Sequence, residues 1–79
     1  METKYHNLGE FLKEYRRGKA MTQEKMAEII GCTRARYTLY ETGKAKAGLD
    51  MIFKISVTTG KSTEFINKLN DYQGKPKEE

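Results

Sequence analysis

The chain has 79 residues, 37% hydrophobic and 33% charged, which suffices for one helical core that is marginal by itself and leaves no room for a second domain. Fifteen basic side chains stand against 11 acidic ones, a formal net charge of +4 that favours a polyanionic partner through long-range attraction and counterion release. One cysteine and one histidine are too few for an internal disulfide or a zinc cluster, so no metal, cofactor or enzymatic activity is expected.

Leu8, Phe11, Leu12 and Tyr15 stand at i, i+3, i+4 and i+7, the stripe of an amphipathic first helix that ends near Gly18. Its aromatics are core, not a cofactor box. Thr22 then offers a hydroxyl that caps a second helix, in which Met26, Ala27 and Ile30 form the apolar face and Gln23, Glu24, Lys25 and Glu28 the wet one. Gly31 ends that helix where a left-handed residue is needed, and Thr33 caps a third two residues later. Cys32 sits in this tight turn, where a small half-buried side chain suits packing.

In the third helix Tyr37 and Tyr40 share a face that anchors it to the second. Ala35, Thr38 and Leu39 fall on the opposite face, with Arg34 and Arg36 flanking them near the helix start. Arginine can pair bidentately with guanine or clamp a phosphate, threonine can hydrogen-bond to bases, and Ala35 or Leu39 can touch a thymine methyl. Spacing alone leaves a DNA reader and an ordinary helical hairpin equally open. Thr42 and Gly43 stop the helix. Arg34, Arg36, Lys44 and Lys46 gather the positive charge at this helix and the loop after it.

Asp50 opens a fourth helix with apolar bulk from Met51, Ile52, Phe53 and Ile55; the poor helix formers Val57, Thr58 and Thr59 end it before Gly60. Ser62 caps a fifth helix, where Phe65, Ile66 and Leu69 recur at helical spacing and Glu64 favours the positive N-terminal end. Residues 1–72 are expected to form the domain and residues 73–79 a polar disordered tail.

The thread Leu8, Leu12, Arg16, Met21-Thr22-Gln23-Glu24, Met26-Ala27, Ile30-Gly31 and Tyr37 continues with Tyr40-Glu41-Thr42-Gly43-Lys44, Leu49, Ile52, Gly60, Ser62 and Ile66. In this order it resembles the Cro/C1-type (XRE) helix-turn-helix family, small five-helix repressors of phages, plasmids and bacterial chromosomes. The resemblance implies an all-α, five-helix lambda-repressor-like bundle whose third helix lies in the major groove. It implies that Arg34, Ala35, Arg36, Thr38 and Leu39 approach base edges or adjacent phosphates, and that Gln23, Thr42 and Lys44 hold the DNA backbone. Thr22, Thr33 and Lys46 are placed with the backbone contacts. Arg16 and Glu41 are implied to be a structural ion pair that braces the fold.

Departures from the family pattern also carry information. Leu39 stands where relatives often have a polar base-contacting residue, so it either reads thymine methyls or is an incidental exposed leucine. Ala47 and Gly48 replace the familiar Pro-Ser before the fourth helix, which is therefore less well capped. Thr59, Lys61 and Asn67 are polar within the region that makes the twofold contact in relatives.

Other chemistry finds little support. His6 is a surface residue near a chain end, and Glu24 and Glu28 are solvated charges rather than an acid/base pair. Gly43-Lys44 and Gly60-Lys61-Ser62 lack the preceding glycine, spacing and strand of a phosphate loop. No hydrophobic run approaches a membrane span, and the opening METKYHNLGE lacks a signal-peptide core, so a reducing cytoplasm is expected, without membrane contact. The reading is a double-stranded-DNA-binding transcriptional regulator, a repressor acting as a homodimer on a near-palindromic operator. The alternatives are an antitoxin that neutralises a toxin partner and autoregulates its operon, and an adaptor that keeps the fold without binding DNA.

Overall fold

The computed structural model describes residues 5–71, and the tail expected over residues 73–79 lies outside them. Five helices follow one another: α1 (His6–Gly18), α2 (Gln23–Ile30), α3 (Arg34–Glu41), α4 (Leu49–Thr59) and α5 (Thr63–Leu69). No strand occurs among the described residues.

The helix starts follow from their caps. Thr22 Oγ1 accepts from the Lys25 amide at 3.0 Å, Thr33 Oγ1 from the Arg36 amide at 3.1 Å, and Ser62 Oγ from the Phe65 amide at 3.1 Å. Gly31 terminates α2 at φ 82°, where any Cβ would be strained, and its amide returns to the Ala27 carbonyl at 2.9 Å. The chain thus turns from α2 to α3 within three residues, which fixes the angle between the two helices.

Every helix sends a fully buried side chain inward: Leu8 and Leu12, Met26 and Ile30, Tyr37, Ile55, and Ile66. Each such burial removes apolar surface from water worth roughly 1.5–3 kcal/mol. The third helix packs on α1 and α2, while α4 packs on α2 and α5. The helix-turn-helix therefore rests on a platform made by the rest of the bundle.

The fourth helix departs from expectation at its start. It begins at Leu49, one residue before Asp50, behind a Gly48 cap that supplies no side-chain hydrogen bond. It ends before Gly60 as expected, and its last turn, despite poor propensity, is held by tertiary and side-chain bonds: Tyr15 donates its hydroxyl to the Thr58 carbonyl at 3.1 Å, and Thr59 Oγ1 donates to the Ile55 carbonyl at 2.8 Å. Of its apolar residues Ile52 and Ile55 are buried and Met51 half-buried, but Phe53 is 62% exposed. Leu49, Phe53 and Val57, spaced by four, instead form an outward stripe. In α5, Ile66 is buried and Leu69 half-buried, whereas Phe65 is exposed and edges onto Phe11 with ring centroids 5.6 Å apart.

Candidate nucleic-acid interface

Helix α3 is divided lengthwise. Tyr37 is fully buried and Tyr40 nearly so, and they hold the helix against the core. Arg34, Ala35, Arg36 and Leu39 are exposed and Thr38 is half-buried. Four of the five residues expected at base edges therefore lie exposed on α3, with Thr38 partly covered among them. The Thr38 hydroxyl donates to the Arg34 carbonyl at 2.9 Å, so its proton is engaged and its oxygen keeps only acceptor capacity.

Under this surface lies a carboxylate hub. Glu41, the last residue of α3, receives Arg16 Nε at 2.8 Å and Arg16 Nη2 at 3.1 Å from α1, Gln23 Nε2 at 2.8 Å from α2, and the Tyr37 hydroxyl at 2.6 Å from its own helix. Arg16 Nη1 also donates to the Met21 carbonyl at 3.0 Å, tying the α1–α2 turn to the same cluster. Three helices thus converge on one side chain that is itself buried. Burial opposes the charge on Glu41, but the hydrogen bonds from Arg16, Tyr37 and Gln23 outweigh it and hold the carboxyl below the usual carboxylate range. The hydrogen bond to Glu41 raises the Arg16 guanidinium further, against desolvation. Burial, reinforced by the bond to Glu41, pushes the Tyr37 phenol well above its ordinary value, so it remains a hydrogen-bond donor.

Of the residues expected at the DNA backbone, all but Lys46 lie at the ends of α2 and α3. Arg34, Thr22 and Gln23 line one cleft, and Gln23 and Thr42 line its neighbour. Thr22 and Thr33 are exposed, with their hydroxyl oxygens already engaged as caps. Gln23 is half-buried and turns an amide N–H inward to Glu41. Thr42 is exposed and donates to the Thr38 carbonyl at 2.7 Å. Lys44 and Lys46 are exposed on the α3–α4 loop; Lys46 lies on the side facing α4 and α5, in a groove it shares with Leu49 and Asn67.

One hub contact and two structural residues escape local reading. Glu41 has a helical neighbour in Tyr37, so part of the hub has a sequence signal at i, i+4, but Gln23 as its third donor has none. Gly9 lies inside α1 beside a core leucine, and a mid-helix glycine at such a place marks close backbone approach. Asn70 is fully buried and bonds both backbone groups of Ala47, which no spacing suggests. Cys32 is half-buried, and burial raises its thiol above the ordinary value, which keeps it protonated. Among the described residues no three His, Cys, Asp or Glu side chains gather to hold a metal ion, and no helix is long and apolar enough to cross a membrane.

A short α2–turn–α3 unit with an outward polar face, braced from α1, defines a helix-turn-helix protein. The Helix-turn-helix family profile matches residues 12–66, and the chain belongs to the Cro/C1-type branch of that family. It is 43% identical over 60 residues to the SPbeta prophage-derived uncharacterized HTH-type transcriptional regulator YonR of Bacillus subtilis (strain 168), covering 76% of this chain and 56% of that protein. It is 36% identical over 59 residues to the uncharacterized HTH-type transcriptional regulator YqaE of the same organism, covering 75% of this chain and 51% of that one. The chain thus spans about half the length of these curated relatives.

Two crystal structures share the fold. The restriction-modification controller protein C.AhdI from Aeromonas hydrophila superposes with a TM-score of 0.69 at 24% identity, over 78% of this chain and 94% of that one. The clp gene regulator ClgR from C. glutamicum gives 0.66 at 18% identity, over 84% and 86% respectively.

Proposed function

We propose that the chain is a sequence-specific double-stranded-DNA-binding transcriptional regulator that represses from a near-palindromic operator as a twofold dimer. The observation that carries this reading is the exposure of Arg34, Ala35, Arg36 and Leu39 on a helix whose other side is pinned by Tyr37, Tyr40 and Glu41. A rigid rod with a free polar face fits a major groove. Arg34 and Arg36 then pair with guanine or adjacent phosphates, Thr38 accepts from base amino groups, and Ala35 and Leu39 meet thymine methyls. Thr22, Gln23, Thr33, Thr42, Lys44 and Lys46 hold the sugar-phosphate backbone and set register rather than sequence. The two named relatives, both HTH-type transcriptional regulators, support a regulatory role.

The dimer follows from energetics and from one exposed face. A single helix reading a few base pairs, at roughly 1–3 kcal/mol each, is outcompeted by non-specific sites, and doubling the contacts corrects this. On α4, Leu49 is 83% exposed, Phe53 62% and Val57 69%, a stripe that a second copy would remove from water. Two recognition helices would then enter successive major grooves about 34 Å apart, and occupancy would exclude polymerase.

Selecting bound duplexes from a random pool tests the proposal. Enrichment of an inverted repeat with half-sites one helical turn apart is the expected result. A pool that stays unenriched at low ionic strength, where phosphate attraction is strongest, would end it.

A further inference from the structure

The loop between α3 and α4 is fastened at both ends. At its start the Tyr5 amide donates to the Gly43 carbonyl at 3.1 Å, and the Lys44 amide donates to the Leu39 carbonyl at 2.9 Å. At its end Ala47 is held by a side chain from the far terminus of the domain: Asn70 Oδ1 accepts from the Ala47 amide at 3.0 Å, and Asn70 Nδ2 donates to the Ala47 carbonyl at 2.7 Å. Between these anchors the side chains alternate, with Ala45 and Ala47 packed on the core and Lys44 and Lys46 exposed.

We infer that Asn70 is a positioning residue for DNA-backbone binding: its two bonds to Ala47 fix the loop so that Lys44 and Lys46 are presented to phosphates. The chemistry of the clamp supports this. Asn70 is fully buried, and burying an amide is costly unless it is hydrogen-bonded, so a side chain that matches one donor and one acceptor of a single residue is committed to holding that residue. Lysine is a flexible point charge that loses much rotamer entropy when placed, so a phosphate contact from it depends on a backbone already held in position. Asn70 caps the C-terminus of α5 and shares a groove with Leu49, Ile52 and Asn67, so the clamp also joins the phosphate-facing loop to the α4–α5 side of the molecule. The inference rests on the DNA-binding reading above, through the role given to the two lysines.

The test is a salt titration of binding to a mixed-sequence duplex of about two helical turns, between about 50 and 200 mM KCl. It compares the wild-type chain, Asn70→Ala, Lys44→Ala/Lys46→Ala, and the triple variant. Each phosphate contact contributes about 0.9 to the slope of log K against log salt. The folded Asn70→Ala chain is expected to show a slope shallower by about one to two, close to that of the double lysine variant, and the triple variant to lose nothing further. A wild-type slope in folded Asn70→Ala, or a further drop in the triple variant, would overturn the inference. If circular dichroism shows Asn70→Ala unfolded, backbone order parameters of the wild-type protein decide: values over residues 44–48 near the helical level of about 0.85 sustain the clamp, and values below about 0.6 sink it. A wild-type chain with no salt-dependent binding defeats the DNA reading instead.

Discussion

Gly9 of α1 and Glu41 of α3 meet backbone to backbone. A Cβ placed on Gly9 would collide with the Glu41 carbonyl oxygen and lie 2.9 Å from its carbonyl carbon and 3.0 Å from the Tyr40 oxygen. All of these atoms belong to the main chain of α3, which cannot step aside as a flexible side chain would. The absence of one methyl group lets α1 lie close enough for Arg16 to reach Glu41.

Gly9→Ala isolates this contact. Helix propensity alone would stabilise the chain by about 1 kcal/mol, since glycine is a poor interior residue. Overpacking against fixed backbone costs about 1–3 kcal/mol and wins. A net loss of stability in urea melts is expected, and an unchanged or raised midpoint would show that the helices separate freely.

The hub makes acid stability depend on Glu41. Its carboxyl titrates lower folded than unfolded, so its contribution is fully present above the unfolded value of about 4.3 and is lost as pH falls through the depressed folded value. Stability should be flat across neutrality and decline from about pH 5 downward. Glu41→Gln keeps the shape without the charge and should be less stable at pH 7, with a shallower decline in acid. Equal acid sensitivity in both proteins would place the titrating group elsewhere.

Removing only Arg16 leaves the buried carboxylate with its neutral donors. Arg16 keeps 15% of its side chain accessible and Glu41 3%, so solvent screens the pair little. Arg16→Met is expected to destabilise by about 3 kcal/mol, the lower end for breaking a buried pair, because Gln23 and Tyr37 still donate. A loss below about 1 kcal/mol in chemical denaturation would mean the pair behaves as a surface contact.

On the DNA-binding reading, Arg36→Ala and Lys44→Ala should fail differently. The first should weaken specific binding by roughly 1–3 kcal/mol and relax base preference at one position. The second should lower affinity evenly across sequences and shallow the salt slope by about one. Binding titrations on specific and mismatched duplexes separate the two, and identical behaviour would remove Arg36 from base reading.

The α4 stripe gives a test of assembly. Phe53→Lys puts a charge where Phe53 stands 62% exposed, so the monomer loses little while a dimer seam buries the charge. Sedimentation should show dimer for wild type and monomer for the variant at the same concentration. An unchanged distribution would move the seam elsewhere.

Much of this molecule is written locally. Thr22, Thr33 and Ser62 cap helices through bonds three residues long, Gly31 breaks one by its own backbone freedom, and the tyrosine face of α3 follows from helical pitch. Those signals define the helix-turn-helix and its outward face, and the thread of residues from Leu8 to Ile66 carries the family. The Arg16–Glu41 pair also follows from that resemblance, whereas the tertiary structure alone decided that Gln23 and Tyr37 join it, the contact of Gly9 with α3, the clamp of Asn70 on Ala47, and the outward turn of Phe53. Each depends on which helix passes behind which. That is set by the joint packing of all five helices, whereas caps and periodicity report only on residues within a turn or two of one another.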